Sequence, residues 1–284
     1  MPTYPSNEGA LTRVSPAPAT LPSPDDQAAW VRAMFDRLAP RYDLFNDILS
    51  AGIHRRWRRR AIAALAPRHD GLYLDLCAGT LDLARGVAAR APGARVVGAD
   101  FALAMLARGR AKLGAGNGGR GAGAAGQGAG AAGQGAVWPV AGDALELPFP
   151  DATFAGCIIG FGLRNLADPM RGLVEMRRVL APGGRLVVLE FTTPPDPAFR
   201  AVYHAYFHHV LPRLGALVAG QRDGPRYLPA SVARFPDAPD LAALLAEAGF
   251  GRVRWRFLTG GIAAIHVGVR DPQVGDGAPA GPGS

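Results

Sequence analysis

Three acidic side chains occupy the same kind of position in the sequence: each lies at or just after the end of a short apolar run that is predicted to be a β-strand. They are Asp75, Asp100 and Asp143. Gly79 and Thr80 form a turn after the first of these runs. In an open α/β sheet, ligands bind outside the carboxyl ends of the strands. We therefore predict that all five residues line one ligand site, with Asp100 placed to bind ribose hydroxyls.

The turn after Asp75 is too poor in glycine for a dinucleotide. A dinucleotide fingerprint, G-x-G-x-x-G/A, aligned on Gly79 would place Leu81 where the second glycine belongs. That glycine lets the backbone approach a pyrophosphate. S-adenosylmethionine carries no phosphate, and its sulfonium cation suits a pocket with several acids. The loop therefore favours S-adenosylmethionine as the cofactor and disfavours a nicotinamide-dependent dehydrogenase.

Strand and helix patterns alternate along most of the chain. The predicted strands are Leu72–Leu76, Arg95–Ala99, Val137–Val140, Gly156–Phe161 and Arg185–Glu190, and the predicted helices are Leu81–Ala91, Leu103–Leu113 and Asp168–Leu180. Such alternation is typical of a doubly wound, parallel α/β sheet. Farther on, Val253–Phe257 and Ile262–Val269 flank a Gly-rich turn and predict an antiparallel pair. The predicted fold class is α/β, with a mostly parallel sheet that ends in that pair.

We predict one folded domain, residues 28–270, between two disordered tails, residues 1–27 and 271–284. The tails are rich in Pro, Ser or Gly and have too few apolar residues to fold. Residues 114–136 contain the heptad GAGAAGQ twice in succession and predict a flexible Gly/Ala insertion. Residues 28–66 show a helical pattern without a strand, and we predict a lid over or beside the carboxyl edge of the sheet.

Five stretches together resemble the ubiquinone/menaquinone biosynthesis C-methyltransferase family. They are FDRLAPRYDLFNDILSAGIHRRWRR, GDALELPFPDATF, FGLRN, RVLAPGGRLVVLEF and LTGGIAAIH. The resemblance runs from about Ala33 to Arg270 and is interrupted by the Gly/Ala insertion. It implies a class I S-adenosylmethionine-dependent methyltransferase fold and methylation of a ring carbon in a polyprenylated quinol. We favour demethylmenaquinol as the substrate, with the ubiquinone precursor 2-methoxy-6-polyprenyl-1,4-benzoquinol as the alternative.

The resemblance also places cofactor contacts on particular residues. They are Thr80, Asp100, Asp143 and Ala144, and Asp75 and Gly79 join them by their position in the first loop. The chain departs from the family pattern at three positions: Gly160 replaces a usual serine, Leu81 a common glycine and Ala155 a usual aspartate. We still place Gly160 at the cofactor, without the hydroxyl contact. A cofactor-binding module that has lost catalysis is the alternative that these departures raise.

Methyl transfer to carbon requires a nucleophilic carbon, which ionisation of a neighbouring ring hydroxyl provides. Arg164, in FGLRN, is predicted to stabilise the developing phenolate. Asn165 is predicted either to orient a water or a quinol oxygen, or to cap the following turn. His54 and Asp43 are the candidate bases, provided that the lid covers the site. No metal is expected, because the two cysteines are far apart and the chain has no Cys/His cluster.

A polyprenyl substrate implies a membrane, yet the chain has no apolar run of roughly 18 residues that could span one. We predict a cytoplasmic protein with peripheral contact on the inner face of the membrane, through Phe199–Leu217 or the basic run Arg55–Arg60. The net charge of +8 reflects an arginine-rich composition in which Lys112 is the only lysine. No basic–aromatic module indicates nucleic acid. The sequence is compatible with a homo-oligomer.

Overall fold

The computed structural model describes residues 24–116, 136–206 and 223–272. The strands are β1 Leu72–Leu76, β2 Arg95–Asp100, β3 Ala136–Ala141, β4 Phe154–Gly160, β5 Leu180–Phe191, β6 Gly251–Leu258 and β7 Ala263–Val269. The helices are α1 Pro24–Leu38, α2 Tyr42–Ser50, α3 Ile53–Leu65, α4 Asp82–Arg90, α5 Leu103–Gly116, α6 Pro169–Val179, α7 Pro197–Ala205, α8 Asp223–Arg234 and α9 Ala238–Glu247. Most of the residues in both predicted tails, and nearly all of the predicted Gly/Ala insertion, lie outside the described residues.

The strands form one seven-stranded sheet in the order β3-β2-β1-β4-β5-β7-β6. The first five are parallel, whereas β7 runs antiparallel to both β5 and β6. The predicted fold class is confirmed. The register explains how the site is assembled: Leu76 pairs with Ala99 on one side and with Ile159 on the other, so the ends of β1, β2 and β4 are level. The turns that follow these strands therefore meet at one edge.

The start of β5 differs from the prediction. The strand begins at Leu180 rather than at Arg185. Phe154 pairs with Leu180 and Gly156 pairs with Arg185, so the residues between them form a bulge in β5. The helix α6 has already ended at Val179, so APGG does not stop it as predicted; it forms the bend within a strand that has already begun.

The predicted lid, residues 28–66, divides into two parts. α1 and α2 lie at the carboxyl edge of the sheet, where α1 contacts α5 and the turn after β4. α3 instead covers one face of the sheet and packs on β4 and β5. Its buried residues His54, Trp57, Ala61 and Leu65 recur every three or four positions, which is the spacing of an amphipathic helix. Only α1 and α2 are therefore in the position of a lid.

Leu81, which departs from the family pattern, is accommodated by two glycines. Its backbone is left-handed, with φ 61°, which costs a non-glycine residue about 1–2 kcal/mol. Its side chain is fully buried. A Cβ added at Gly98 would collide with Leu81 Cδ2, and one added at Gly109 would lie 2.7 Å from Leu81 Cγ. The missing side chains of β2 and α5 thus form the socket that holds Leu81.

This packing predicts a coupling between Gly98 and Leu81. Gly98→Ala should lower the free energy of unfolding by about 1–3 kcal/mol, because a methyl group is forced into a filled core. In a Leu81→Ala background the same change should cost about 1–2 kcal/mol less, because its collision partner is gone. Denaturant unfolding of the four proteins measures this difference.

Gly114→Ala is the control, since an added Cβ there meets no described atom within 4 Å. It should leave stability unchanged or raise it by up to about 1 kcal/mol. Equal costs of Gly98→Ala in both backgrounds would show that Leu81 is not held by this socket.

Candidate active site

A cavity opens where the turns after β1, β2, β3 and β4 meet, and we call it the edge cavity. Its lining includes six of the predicted site residues: Gly79, Asp100, Asp143, Ala144, Gly160 and Asn165. Apolar side chains, among them Leu76, Phe101 and Met105, supply much of the remaining wall. The sheet therefore brings together residues that are separated by up to 86 positions in the chain, from Gly79 to Asn165.

Asp100 links two of these turns. Its Oδ2 accepts a hydrogen bond from the Gly79 backbone N–H at 2.7 Å, and its Oδ1 accepts one from the Ala102 N–H at 2.8 Å. Burial raises the pKa of this carboxyl, although the backbone N–H groups act to lower it. A carboxylate oxygen can accept two hydrogen bonds. Since the Phe101 backbone N–H also acts on this carboxylate, about one lone pair remains to accept from a ligand hydroxyl.

The far end of the edge cavity is formed by the turn after β3. Asp143 Oδ1 accepts a hydrogen bond from the Leu145 N–H at 2.9 Å, and the carboxylate is exposed. Ala144 beside it is buried. Gly160 faces them from the end of β4, where an added Cβ would lie 2.6 Å from Leu83 Cδ1. Leu83 thus fills the space that the usual serine side chain would occupy.

Asp75 takes a different position from the one predicted. It is not among the residues that line the edge cavity, and its side chain is fully buried. Its Oδ2 accepts a hydrogen bond from the Ala84 N–H at 2.8 Å, while Oδ1 has no partner among the described residues. Burial raises the pKa of this carboxyl to about 8. Asp75 therefore stabilises the first turn of α4, which follows the loop after β1.

Thr80 and Asp43 meet in an ionic cluster around Lys112. The Lys112 ammonium lies 2.8 Å from Asp43 Oδ1, 2.9 Å from Thr80 Oγ1 and 3.1 Å from Asp82 Oδ1. Arg58 also binds Asp82, at 2.7 Å. Partial burial acts to raise the pKa of Asp82, but Arg58 and Lys112 together hold it below its ordinary value. The only lysine of the sequence thus ties the lid helix α2 to the first turn of α4.

Two predicted site residues, Asp43 and Thr80, have their polar contacts within this cluster. Both carboxylate oxygens of Asp43 bind cations, since Oδ2 also lies 3.4 Å from Arg108 Nε. Neither Asp43 nor Thr80 is among the residues that line the edge cavity or the second cavity described below. Both side chains are instead engaged by contacts within the described residues.

A second cavity, of about 340 Å³, lies under the lid, and we call it the lid cavity. Aromatic rings dominate its lining: Phe35, Tyr42, Phe45, Trp57, Phe161, Phe191, Tyr203, Tyr206 and Tyr227. Three of them, Phe35, Tyr42 and Phe161, also line the edge cavity. The two cavities therefore share a wall of aromatic residues, and the lid cavity has the size and polarity of a site for an apolar ligand.

Arg164 enters the lid cavity as part of a buried ion pair. Its Nη1 lies 2.8 Å from Glu190 Oε1, and the two side chains are only 7% and 1% exposed. The same Nη1 donates to the Phe161 carbonyl oxygen, and the guanidinium lies over the Phe191 ring at 5.3 Å. Within the described part of the chain, the buried Nε–H has no partner. The Arg164 guanidinium is thus fixed beside the lid cavity, while Glu190 neutralises its charge.

His54 reaches the lid cavity from α3. Its Nδ1 lies 2.6 Å from Ser50 Oγ, which itself donates to the Asn46 carbonyl oxygen at 2.7 Å. A hydroxyl has one hydrogen to donate, so His54 Nδ1–H is the donor to Ser50 and Nε2 carries the lone pair. Burial, assisted by the Arg58 charge, lowers the pKa of His54 to about 4. The imidazole is therefore neutral at physiological pH, with a free lone pair on Nε2, and is a weaker base than an exposed histidine.

Asn165 uses both ends of its amide within the protein. Its Nδ2 donates to the Phe161 carbonyl oxygen at 3.2 Å, and its Oδ1 accepts from the Tyr227 hydroxyl at 3.0 Å. Neither contact goes to the turn that follows, so they do not show the capping role, and Asn165 also lines the edge cavity. They also tie α8 to the turn that carries Arg164.

Sequence reasoning missed Glu190 and the aromatic residues of α7 and α8 as parts of the site. Glu190 had a visible signal, since it is a lone acid at the end of the apolar run LVVLEF. A charge at the buried end of a strand requires a partner. Tyr203 and Tyr227 carried no such signal, because their helices reach the cavity only through the tertiary fold.

Among the described residues, no cluster of three or more potential ligands is arranged to hold a metal ion. Within the same residues, no helix combines the length and the apolar character needed to cross a membrane.

The fold places two adjacent cavities at the carboxyl edge of the sheet, and comparison with known proteins identifies the family. The chain belongs to the ubiE/COQ5 methyltransferase family, whose model matches residues 23–270. A demethylmenaquinone methyltransferase of Thermus thermophilus is 51% identical over 84% of this chain and 100% of its own length. A protein of Paracoccus denitrificans named ubiquinone/menaquinone biosynthesis C-methyltransferase UbiE is 43% identical over 86% of this chain and 91% of its own length.

Solved structures support the fold. A SAM-dependent methyltransferase of Thermotoga maritima superimposes with a TM-score of 0.56 at 18% identity, over 84% of this chain and 99% of that one. The predictions of family and fold class are therefore confirmed.

The lowered pKa of His54 predicts a pH-dependent loss of stability. Below pH 6.5 the unfolded chain binds a proton on this imidazole, whereas the folded protein does so only near pH 4. Stability should therefore fall as the pH is lowered through this window. Relative to His54→Gln, the wild type should lose roughly 2 kcal/mol of unfolding free energy between pH 7.5 and pH 5. Denaturant titrations at both pH values measure this, and a constant difference would contradict it.

Proposed function

We propose that this protein uses S-adenosylmethionine to methylate a ring carbon of a polyprenylated quinol, converting demethylmenaquinol to menaquinol. Family membership and the similarity to the demethylmenaquinone methyltransferase of Thermus support this reaction. The observation that carries the proposal is the aromatic lid cavity joined to the edge cavity, with Arg164 Nε–H as an unpartnered buried donor within the described residues. The Paracoccus relative makes the ubiquinone precursor the second candidate substrate.

The edge cavity fits the cofactor by its polar groups. Asp100 has acceptor capacity for a ribose hydroxyl, and the exposed carboxylate of Asp143 can accept from the adenine amino group. Gly79, with φ 53°, allows the close turn beside them. Gly160 supplies backbone without a hydroxyl. When bound, S-adenosylmethionine supplies a methyl group that its sulfonium has already activated.

The lid cavity supplies the other half of the reaction. Its aromatic walls bury a quinol ring and exclude water, which strengthens every polar interaction inside. Arg164 Nε–H donates to the ring oxygen and stabilises the negative charge that develops there. Glu190 keeps the guanidinium in place, so that the donor needs no reorientation during the reaction. Positioning of this kind can supply on the order of 7–11 kcal/mol.

A proton must leave the methylated ring carbon to restore aromaticity. His54 Nε2 is the base that the contacts of the lid cavity favour, because the Ser50–Asn46 chain of hydrogen bonds fixes its tautomer. Asp43 is not proposed for this step, since Lys112 and Arg108 occupy its carboxylate.

Methyl transfer from labelled S-adenosylmethionine tests the proposal. The protein is incubated with detergent-solubilised demethylmenaquinol and, separately, with the benzoquinol precursor, and the products are analysed by mass spectrometry. We expect the label on a ring carbon of the naphthoquinol. Transfer only to the benzoquinol would favour the second candidate, and transfer to neither, with cofactor bound, would favour a binding module without catalysis.

Arg164→Ala should act on the chemical step. Loss of one preorganised donor should lower the single-turnover rate by roughly a hundredfold or more. The cofactor dissociation constant should stay within about threefold, because Arg164 faces the substrate. Arg164→Lys keeps the charge but not the planar fork and should recover only part of the rate.

Arg171→Ala, on the exposed side of α6, is the matched control and should behave as wild type. If Arg164→Ala abolishes cofactor binding while the rate at saturation survives, Arg164 is a cofactor ligand or an anchor.

We also propose peripheral contact with an anionic membrane at the corner between α2 and α3. Leu44, Ile48 and Ile53 are 54%, 38% and 40% exposed there. Ile48 and Ile53 also line the lid cavity, so the corner is a mouth through which a prenyl chain can leave. The exposed residues of the basic run, Arg55, Arg56, Arg59 and Arg60, flank it. The alternative surface, Phe199–Leu217, lies partly outside the described residues.

Vesicle cosedimentation checks this surface. Leu44→Glu combined with Ile53→Glu should weaken binding to anionic vesicles by roughly tenfold or more, since two apolar side chains no longer enter the bilayer. Val174→Glu is the control: Val174 is 48% exposed on α6, against the opposite face of the sheet. If the control weakens vesicle binding as much as the double variant does, this corner is not the membrane-contact surface.

A further inference from the structure

Phe161 holds a conformation that its surroundings must enforce. Its φ is 60°, a left-handed value that is strained for a bulky residue. Its N–H donates to the Leu189 carbonyl oxygen at 2.8 Å, and its own carbonyl oxygen accepts from Arg164 Nη1 and Asn165 Nδ2. Such strain persists only where neighbouring contacts over-determine it, and it often marks a functional position. The structure thus fixes this ring in one place.

That place is the boundary between the two cavities. The Phe161 ring packs against Phe191 with centroids 4.6 Å apart and against Trp57 at 6.1 Å, and it lines both cavities. The other two residues that line both are Phe35 and Tyr42, whose rings meet edge to face at 6.2 Å. The boundary therefore has an aromatic ring from the end of β4 on one side and two rings from the lid on the other.

The charge of the cofactor sulfur changes at this boundary. Before transfer the sulfur is a sulfonium cation. On transfer the S–CH₃ bonding pair stays on sulfur, a carbon electron pair of the quinol ring forms the new C–C bond, and the ring proton goes to a base. The product sulfur is a neutral thioether. Aromatic rings attract a cation within about 6 Å of their centroids, most strongly where water is excluded.

Other charges at the boundary do not oppose this attraction. Arg164 is the cation of the lid cavity nearest to Phe161, and Glu190 neutralises it at 2.8 Å. Arg58, which also lines the lid cavity, is paired with Asp82. We infer that Phe161, Phe35 and Tyr42 form an aromatic collar that binds the sulfonium form of the cofactor in preference to its neutral product. This inference rests on the proposed function. The collar makes the product leave once the charge has gone, which limits product inhibition.

Calorimetric titration tests the collar without any turnover. Dissociation constants for S-adenosylmethionine and S-adenosylhomocysteine are measured on wild type and on Phe161→Leu. Leucine remains apolar and has the same aversion to positive φ, so the main change is the loss of the ring. We expect the preference for the sulfonium form to fall by about fivefold or more, with the loss in S-adenosylmethionine binding.

Phe35→Leu is the second variant, and it decides the matter if Phe161→Leu does not fold. It should also lower the preference for S-adenosylmethionine over S-adenosylhomocysteine. Phe101→Leu is the matched control, because its ring lines the edge cavity alone. It should weaken binding of both ligands by the same factor and leave the preference intact.

Two results overturn the inference alone. The first is that the collar variants weaken the binding of both ligands by the same factor, which would mean that the rings do not distinguish the two sulfur charges. The second is that the wild type binds both ligands with equal affinity. Either result leaves methyl transfer unaffected as a proposal. If the wild type binds neither ligand, the proposed function itself is wrong, and the collar with it.

Discussion

Methyl transfer to carbon proceeds in line, so donor and acceptor must meet at one point with their reacting atoms about 3–3.5 Å apart. In the proposed reaction that constraint falls on the boundary between the edge cavity and the lid cavity. The boundary residues come from three elements that are distant in the sequence: α1, α2 and the end of β4. The rest of the site positions these elements relative to one another.

Two sets of ionic contacts hold these elements in place. The Lys112 cluster joins α2 to the loop after β1, so the lid and the cofactor turn are held as a unit. The Arg164–Glu190 pair joins the turn after β4 to the end of β5. Taking both charges out of water is unfavourable, and removing one partner of such a pair typically costs 3–5 kcal/mol. A buried pair at this position is therefore better understood as fixing a donor than as stabilising the fold.

Much of the fold could be predicted from the sequence, because the signals were local. The apolar runs of β1 to β5, the Asp168 and Pro169 start of α6 and the Gly-rich turn before β7 all depend on neighbouring residues. The bulge in β5 could not be predicted, because the pairing of Phe154 with Leu180 sets it. Nor could the division of the lid, since α3 is a core helix only by virtue of the sheet face that it covers.

The part of the candidate site at the strand ends could also be predicted from the sequence. Residues at the strand ends, such as Asp100 and Gly160, meet as expected because parallel strands end at one edge. Asp75, Thr80 and Asp43 line neither of the two described cavities. Sequence position alone does not distinguish a side chain that faces a ligand from one that supports the loop behind it. The apolar lid cavity was not predicted at all, since its rings come from helices that meet only in the tertiary structure.

The central claim is that the two cavities hold the two reactants on either side of the aromatic boundary. A crystal structure of the protein with S-adenosylhomocysteine and a short-chain demethylmenaquinone tests it most directly. We expect the sulfur in the edge cavity, the unsubstituted ring carbon facing it beside Phe161, and a ring oxygen within about 2.7–3.2 Å of Arg164 Nε. A quinone bound outside the lid cavity, or one whose oxygens lie away from Arg164, would contradict the account.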